Sequence, residues 1–227
     1  MNPNLRAFAN PTRRSGFTLV ELLVVILIIV VLAAIVVPLA GKMRASSADT
    51  QCLNHLKSWS NVFAMYSSEH GGVIECRNWN SIGREAPSAY VTYWAGEESH
   101  EAGYRELAKM RCCPALKGAD AISGNGNSLT AYSLTDASGV ASNNAKEAQY
   151  SLAKIKNPSR FVIMVETTGG SAFIRTVSDY TTRVKPLTLP EKMRHKGSVV
   201  NAIFGDFSVR SLTWKEIEKD MGVWTSF

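Results

Sequence analysis

The sequence lacks the local signatures on which most enzymes depend. It has no G-x-S-x-G nucleophile turn, no phosphate-binding loop and no dinucleotide glycine motif. His100-Glu101-Ala102-Gly103-Tyr104 opens like the helix of a zinc protease but carries Tyr where the second His must stand. Repeats and low-complexity tracts are missing too, and 45% apolar against 19% charged residues excludes wholesale disorder. Excess charge is scarce and uneven. Of the net +6, Arg6, Arg13 and Arg14 supply +3 within the acid-free residues 1–16, leaving 22 basic and 19 acidic residues, or +3, for the rest. A body this close to balance gives no argument for genome binding.

What is present is concentrated near the N-terminus. Leu22–Leu39 reads LLVVILIIVVLAAIVVPL, 18 residues without a charge or a hydrogen-bonding side chain, and Phe17–Leu39 is broken only by Thr18 and Glu21. As a helix this stretch is roughly 35 Å long, enough for a hydrocarbon layer of ~30 Å. A buried core helix would keep a polar stripe, and a cleaved secretory signal has a shorter apolar region, so a transmembrane helix is the expectation. The three arginines place the N-terminus in the cytoplasm and the body outside it, a bias that Lys42 and Arg44 weaken without reversing.

Glu21 is the anomaly in this run. A carboxylate inside a membrane helix costs about 2.5–3.5 kcal/mol on insertion scales, so it needs a partner. It lies one helical turn beyond Phe17. A cut between Gly16 and Phe17 would create an α-amine within its reach, on the same chain or a neighbour.

Arg13-Arg14-Ser15-Gly16-Phe17-Thr18-Leu19-Val20-Glu21 and the apolar run behind it resemble the processing and methylation signal of type IV prepilins and type II secretion pseudopilins. The resemblance implies cleavage after Gly16 by a membrane prepilin peptidase, N-methylation of Phe17 and assembly into a helical filament, with Glu21 pairing the α-amine of an adjacent subunit. Pro38 would be residue 22 of the mature chain, where many pilins carry a helix-kinking proline.

Past Pro38 the pattern becomes amphipathic. Cys52, Leu56, Trp59, Phe63 and Tyr66 advance in steps of four, three, four and three, one stripe of an α-helix, and Gly71-Gly72 is the expected stop. One kinked helix from Phe17 to about His70 is therefore expected, roughly 80 Å long. In the rest, Ser99–Met110 has helical character. Phe161–Val165 reads as a buried strand, Ala172–Val177 as a second, and Val199–Phe204 with Phe207–Leu212 as a hairpin around a two-residue Gly205-Asp206 turn. Trp214–Met221 suits a closing helix, and Ser123–Asn144 reads as a surface loop. The expected fold class is α+β: a long kinked N-terminal helix packed on a small, mainly antiparallel, pilin-like sheet head. The expected segments are a leader (1–16), a transmembrane helix (17–39), its amphipathic extension (40–71) and a globular head (72–227).

The head also resembles pseudopilin-like proteins with a C-terminal H-x9-DG motif. Cys52-Leu53-Asn54-His55-Leu56-Lys57, Cys113-Pro114, Ala131-Tyr132-Ser133 and Ile155-Lys156-Asn157-Pro158-Ser159 ending in Glu166 fit that pattern. The motif itself would run from His195 through Asn201 to Asp206. Ten residues rather than nine separate His195 from Asp206, and Phe207 stands where Gly belongs.

Four cysteines, Cys52, Cys76, Cys112 and Cys113, fall on the expected exterior side, where disulfides form. Adjacent Cys112 and Cys113 are poorly placed to bridge each other, so one of them is expected to reach Cys52 or Cys76. The alternative is a zinc site of Cys52, His55 and the adjacent pair, disfavoured by the spacing and by the lack of any C-x2-C. His195 reads as a hydrogen-bonded turn residue. Asp206 lacks the clustered acids of a calcium site.

A structural filament subunit of a type II secretion-like system, without chemistry or a cofactor of its own, is the functional expectation. Its partners would be copies of itself, other pseudopilins, the prepilin peptidase, an inner-membrane platform protein and an assembly ATPase. It would sit by one membrane pass in a bacterial inner membrane, head outside, then in a periplasmic or surface filament. One alternative is an anchored adhesion module using Trp79, Trp94, Trp214 and Trp224. The other, a DNA-uptake pilin, would use Lys146, Lys154, Lys156, Arg160, Arg183, Lys185, Lys192, Arg194 and Lys196.

Overall fold

The computed structural model describes residues 17–76, 90, 93, 110, 113–115, 132–135, 149–168, 173–189 and 193–224, without the side chains of 39, 40, 42, 44, 45 and 221–224. Helix α1, Leu19–Glu69, takes in both the apolar run and the amphipathic stripe, with Pro38 inside it. The chain divides into two compact units at Arg44/Ala45, so the C-terminal part of α1 belongs to the second unit. Pro38 lacks an amide hydrogen, which removes one bond from the α1 ladder, yet the helix runs on to Glu69. There the chain enters the left-handed region at Gly71 (φ 67°) and Gly72 (φ 76°), and Gly72 N–H donates to Ser67 C=O at 2.7 Å. This is the 6→1 bond of a Schellman stop, satisfying a carbonyl the helix leaves orphaned.

Among the described residues, the first unit consists of the N-terminal part of α1 and the two residues before it. Every described side chain from Leu19 to Val37 is exposed, and Leu19–Pro38 is long and apolar enough to cross a membrane.

The second unit packs the α1 stripe on a sheet. Strands β1 (Val73–Glu75) and β3 (Gln149–Ser151) form an antiparallel pair. The main sheet uses β2 (Tyr132–Thr135), β4 (Val162–Glu166), β5 (Phe173–Ile174), β6 (Val199–Phe204) and β7 (Val209–Thr213) in the order β5-β2-β4-β6-β7. Among the described residues every pairing is antiparallel except β2 with β5, so the head is mainly antiparallel as the patterning indicates.

Both faces of this sheet are covered. Cys52, Leu56, Trp59, Phe63 and Tyr66 of α1 pack with Tyr132, Leu134, Ile163 and Ile203. On the opposite face, Val162, Val165, Val200, Ala202 and Phe204 pack with Tyr180, Val184 and Leu187 of a helical run (Val177–Thr188), and with Ile217 of helix α2 (Trp214–Trp224). Double coverage explains why β4 is an unbroken apolar run rather than an alternating one. A register shift between Val162 and Met164 turns the consecutive Ile163 and Met164 toward α1.

The structure corrects three sequence readings. Ser123–Asn144 is not all loop, because β2 lies within it with all four residues buried; its YSLT stretch is short and carries Ser133 and Thr135, which hide the strand. The second strand is only Phe173–Ile174, and it pairs with β2, while Thr176 caps a helical turn that opens at Val177. The β6–β7 turn has three residues rather than two. Phe207 N–H donates to Phe204 C=O and Phe204 N–H to Ser208 C=O, with Phe207 at φ 62°. That is a turn followed by a left-handed bulge position. Gly205 is fixed by close approach, since a Cβ there would lie 2.9 Å from the Pro158 carbonyl oxygen. The expected Ser99–Met110 helix lies outside the described residues except for Met110.

Candidate functional site

Two local arrangements hold the residues singled out by sequence. The first opens α1. Thr18 N–H and Thr18 Oγ1–H each donate to Glu21 Oε2 at 2.8 Å, and Glu21 N–H donates to Thr18 Oγ1 at 3.3 Å. This is a reciprocal capping box, which satisfies orphan donors at the helix start and places a carboxylate at the positive end of the helix dipole. The spacing Thr18-x-x-Glu21 is the sequence signature of this box. Phe17 precedes the helix and is 87% exposed. Gly16 lies outside the described residues. Pro38 is exposed within α1.

The second arrangement is buried between α1 and the sheet. His195 is 3% exposed and sits between two carboxylates: Nδ1 is 2.7 Å from Asp49 Oδ1 on α1, and Nε2 is 2.8 Å from Glu166 Oε1 on β4. Glu166 is fully buried, and its Oε2 accepts Asn201 N–H of β6 at 2.8 Å. Asn201 Nδ2–H donates to Glu166 Oε1 at 3.2 Å, while Asn201 Oδ1 accepts Ser211 Oγ–H at 2.6 Å. Both sheet residues come from alternate positions that face α1, so ordinary strand geometry aims them at the helix.

The charge state of His195 follows from these partners. Burial disfavours its cation, but the Glu166 hydrogen bond and charge, then those of Asp49, outweigh burial and hold its pKa above the ordinary histidine value. A protonated imidazole also supplies the two N–H donors that two acceptors demand.

The cysteines meet this cluster. Cys52 of α1 and Cys113 form a disulfide, and Cys113 Sγ is 3.7 Å from His195 Nε2. Closing a loop with a sequence separation of 61 contributes about 4 kcal/mol in the chain-entropy account. Cys76 is buried elsewhere, its Sγ–H directed at Thr135 C=O at 3.7 Å, and Cys112 lies outside the described residues. The histidine beside the bridged cysteines is thus His195, not His55. From sequence, His195 reads as a turn residue and Glu166 only as the end of a resembling stretch. No local spacing joins residues 49, 166 and 195, so only the fold brings them together.

Asp206 takes no part in this cluster. Its Oδ1 accepts Ser208 N–H at 3.0 Å and Ser208 Oγ–H at 2.6 Å, stabilising the β6–β7 turn. Burial pushes its pKa up, but the Ser208 bonds and Arg210 outweigh it and lower the pKa.

Residues 11–37 match the family described as the prokaryotic N-terminal methylation motif. The N-terminus is type IV pilin-like. The pilin-like segment thus combines a methylation motif with an apolar helix suited to membrane anchoring. No curated protein and no solved structure matches the chain.

The features counted for the alternatives are partly committed. Trp214 packs against the core beneath Lys185 Nζ, 5.2 Å from its ring centroid. Arg160 pairs with Asp220, and Arg183 pairs with Asp179 at 3.4 Å. Trp79, Trp94, Lys146 and Lys192 lie outside the described residues.

Proposed function

We propose that this chain is the structural subunit of a pilus or pseudopilus in a type II secretion-like system. The observation that carries the reading is the methylation motif at residues 11–37 running into a helix whose apolar side chains have no cover within their own unit. In this reading the precursor waits in a bacterial inner membrane with its head outside the cytoplasm. A prepilin peptidase cuts after Gly16 and Phe17 is N-methylated. Glu21 then exchanges its Thr18 cap for the α-amine of a neighbour. A carboxylate in an apolar setting gains more from an ammonium than from a hydroxyl, because full charge pairing offsets desolvation. Copies of the chain, other pseudopilins, a platform protein and an assembly ATPase are the partners.

The test is the N-terminal residue and intact mass of the protein from cells that make it natively, with electron microscopy of sheared surface material. N-methylphenylalanine at position 17 together with filaments supports the proposal. A chain that still begins at Met1 refutes it and leaves a signal-anchored surface domain.

A further inference from the structure

Filament assembly makes no use of the buried cluster behind α1, and its composition is unusual for a purely structural contact. Cys52, Cys113, His195 and Glu166 each offer one ligand atom, all four atoms lie within 4.8 Å of one another, and all four residues are buried. Two sulfurs, an imidazole nitrogen and a carboxylate oxygen form a donor set that zinc accepts, whereas calcium or magnesium would require oxygens. In a tetrahedral site with bonds of ~2.0–2.3 Å, donors stand about 3.3–3.8 Å apart, so shifts of about 1 Å would gather these.

The surroundings are those of a prepared site. His195 offers Nε2 toward the cysteines while Nδ1 is held by Asp49 at 2.7 Å, the carboxylate–histidine arrangement that orients metal-bound imidazoles. Glu166 keeps Oε2 on Asn201 N–H, while Oε1 faces the cluster, where His195 Nε2 lies 2.8 Å away and Asn201 Nδ2–H donates to it at 3.2 Å.

We propose that Cys52, Cys113, His195 and Glu166 form a zinc site in the dithiol form of the chain, and that the Cys52–Cys113 disulfide and the metal are alternative occupants of one position. An external dithiol supplies two electrons and two protons to open the bridge and leaves as its own disulfide. Zinc then displaces one proton from each thiol and the Nε2 proton of His195, releasing three. Glu166 Oε1 passes from the imidazole to the metal. Oxidation reverses the sequence and expels the ion, since disulfide sulfurs lack the thiolate charge that zinc requires.

The experiment uses the full chain in detergent, split into an oxidised sample and one reduced by a dithiol that is then removed without air. Zinc chloride alone is added, unbound ion is removed, and bound metal and sites of alkylation are measured by mass spectrometry. The expected result is one zinc per reduced chain and none per oxidised chain, with zinc shielding Cys52 and Cys113 but not Cys76 or Cys112. Asp49→Asn should weaken binding roughly 10–100-fold by freeing the imidazole. The proposal is overturned if the reduced chain keeps no zinc, if both forms bind equally, or if the shielded thiols are Cys76 or Cys112. An Asp49→Asn chain that binds as tightly as the parent also overturns it. The shielding pattern is read on the unmutated chain, so it stands even where a variant fails to fold.

Discussion

Val30 and Val165 are the same residue at opposite extremes: the first is 64% exposed on α1 and the second is fully buried in β4. Burying a valine-sized side chain contributes roughly 1.5–3 kcal/mol, so a helix of such residues left in water forfeits on the order of tens of kcal/mol. The two units therefore meet the same requirement differently. The head covers its apolar surface with its own sheet and helices, whereas Leu19–Pro38 finds no cover within its own unit; in the proposed function lipid covers it before assembly and neighbouring helices afterwards. A change in the first unit should alter partnership without altering folding, and a change in the second should do the reverse.

The sharpest break of this contrast is Glu21→Val. It removes the only formal charge between Phe17 and Leu39 and makes the helix easier to insert. Filaments should disappear entirely on electron micrographs of surface material, while the head's unfolding midpoint stays within ~0.5 kcal/mol of the parent. Intact filaments in that variant would deny Glu21 any assembly role.

Glu166→Ala should act in the opposite sense. It strands the His195 imidazolium and the Asn201 N–H in a buried position, which costs about 3–5 kcal/mol when one partner of a buried pair is removed. Urea unfolding of the full chain in detergent, followed by tryptophan fluorescence, reads the loss. Membrane insertion should be unaffected.

A subtler probe of the head is pH. The native pKa of His195 is raised, so the unfolded chain gives up this proton first as pH rises. The stabilisation is complete below the unfolded histidine value of about 6.5 and is lost as pH climbs through the higher native value. The unfolding midpoint should therefore fall above about pH 6.5, and Glu166→Gln should flatten that dependence by removing the largest favourable influence on the cation. An unchanged slope in Glu166→Gln would assign the pH response to other groups.

The two units also differ in how much of them can be read without a structure. The motif around Phe17 and Glu21, the apolar run, and the stripe from Cys52 to Tyr66 are local patterns, so contiguous sequence suffices. β4 and β6 were legible because β-branched runs end at Gly or Pro. By contrast β2 has one strongly apolar aliphatic residue, Leu134, and it is a central strand only because β4 and β5 flank it. The His195 cluster gathers groups separated by 146 and 29 residues, with nothing in their spacing to connect them.

The smallest expected effect concerns the residue that departs from the H-x9-DG pattern. Phe207 occupies a left-handed position, φ 62°, where a side chain costs about 1–2 kcal/mol and Gly costs nothing. Its ring recovers part of that by packing against the α1 core, and its carbonyl accepts Ser60 Oγ–H at 2.5 Å, a bond that depends on backbone position rather than on the ring. Phe207→Ala forfeits the packing and keeps the strain. Phe207→Gly forfeits the same packing but relieves the strain, less about 0.4–1 kcal/mol for the added freedom of the unfolded chain. The glycine variant should thus be the more stable of the two by about 0.5–1 kcal/mol, although it removes the larger part of the side chain. Matched urea midpoints for the pair decide it. An alanine variant at least as stable as the glycine one would mean that the turn holds residue 207 outside the left-handed region in solution.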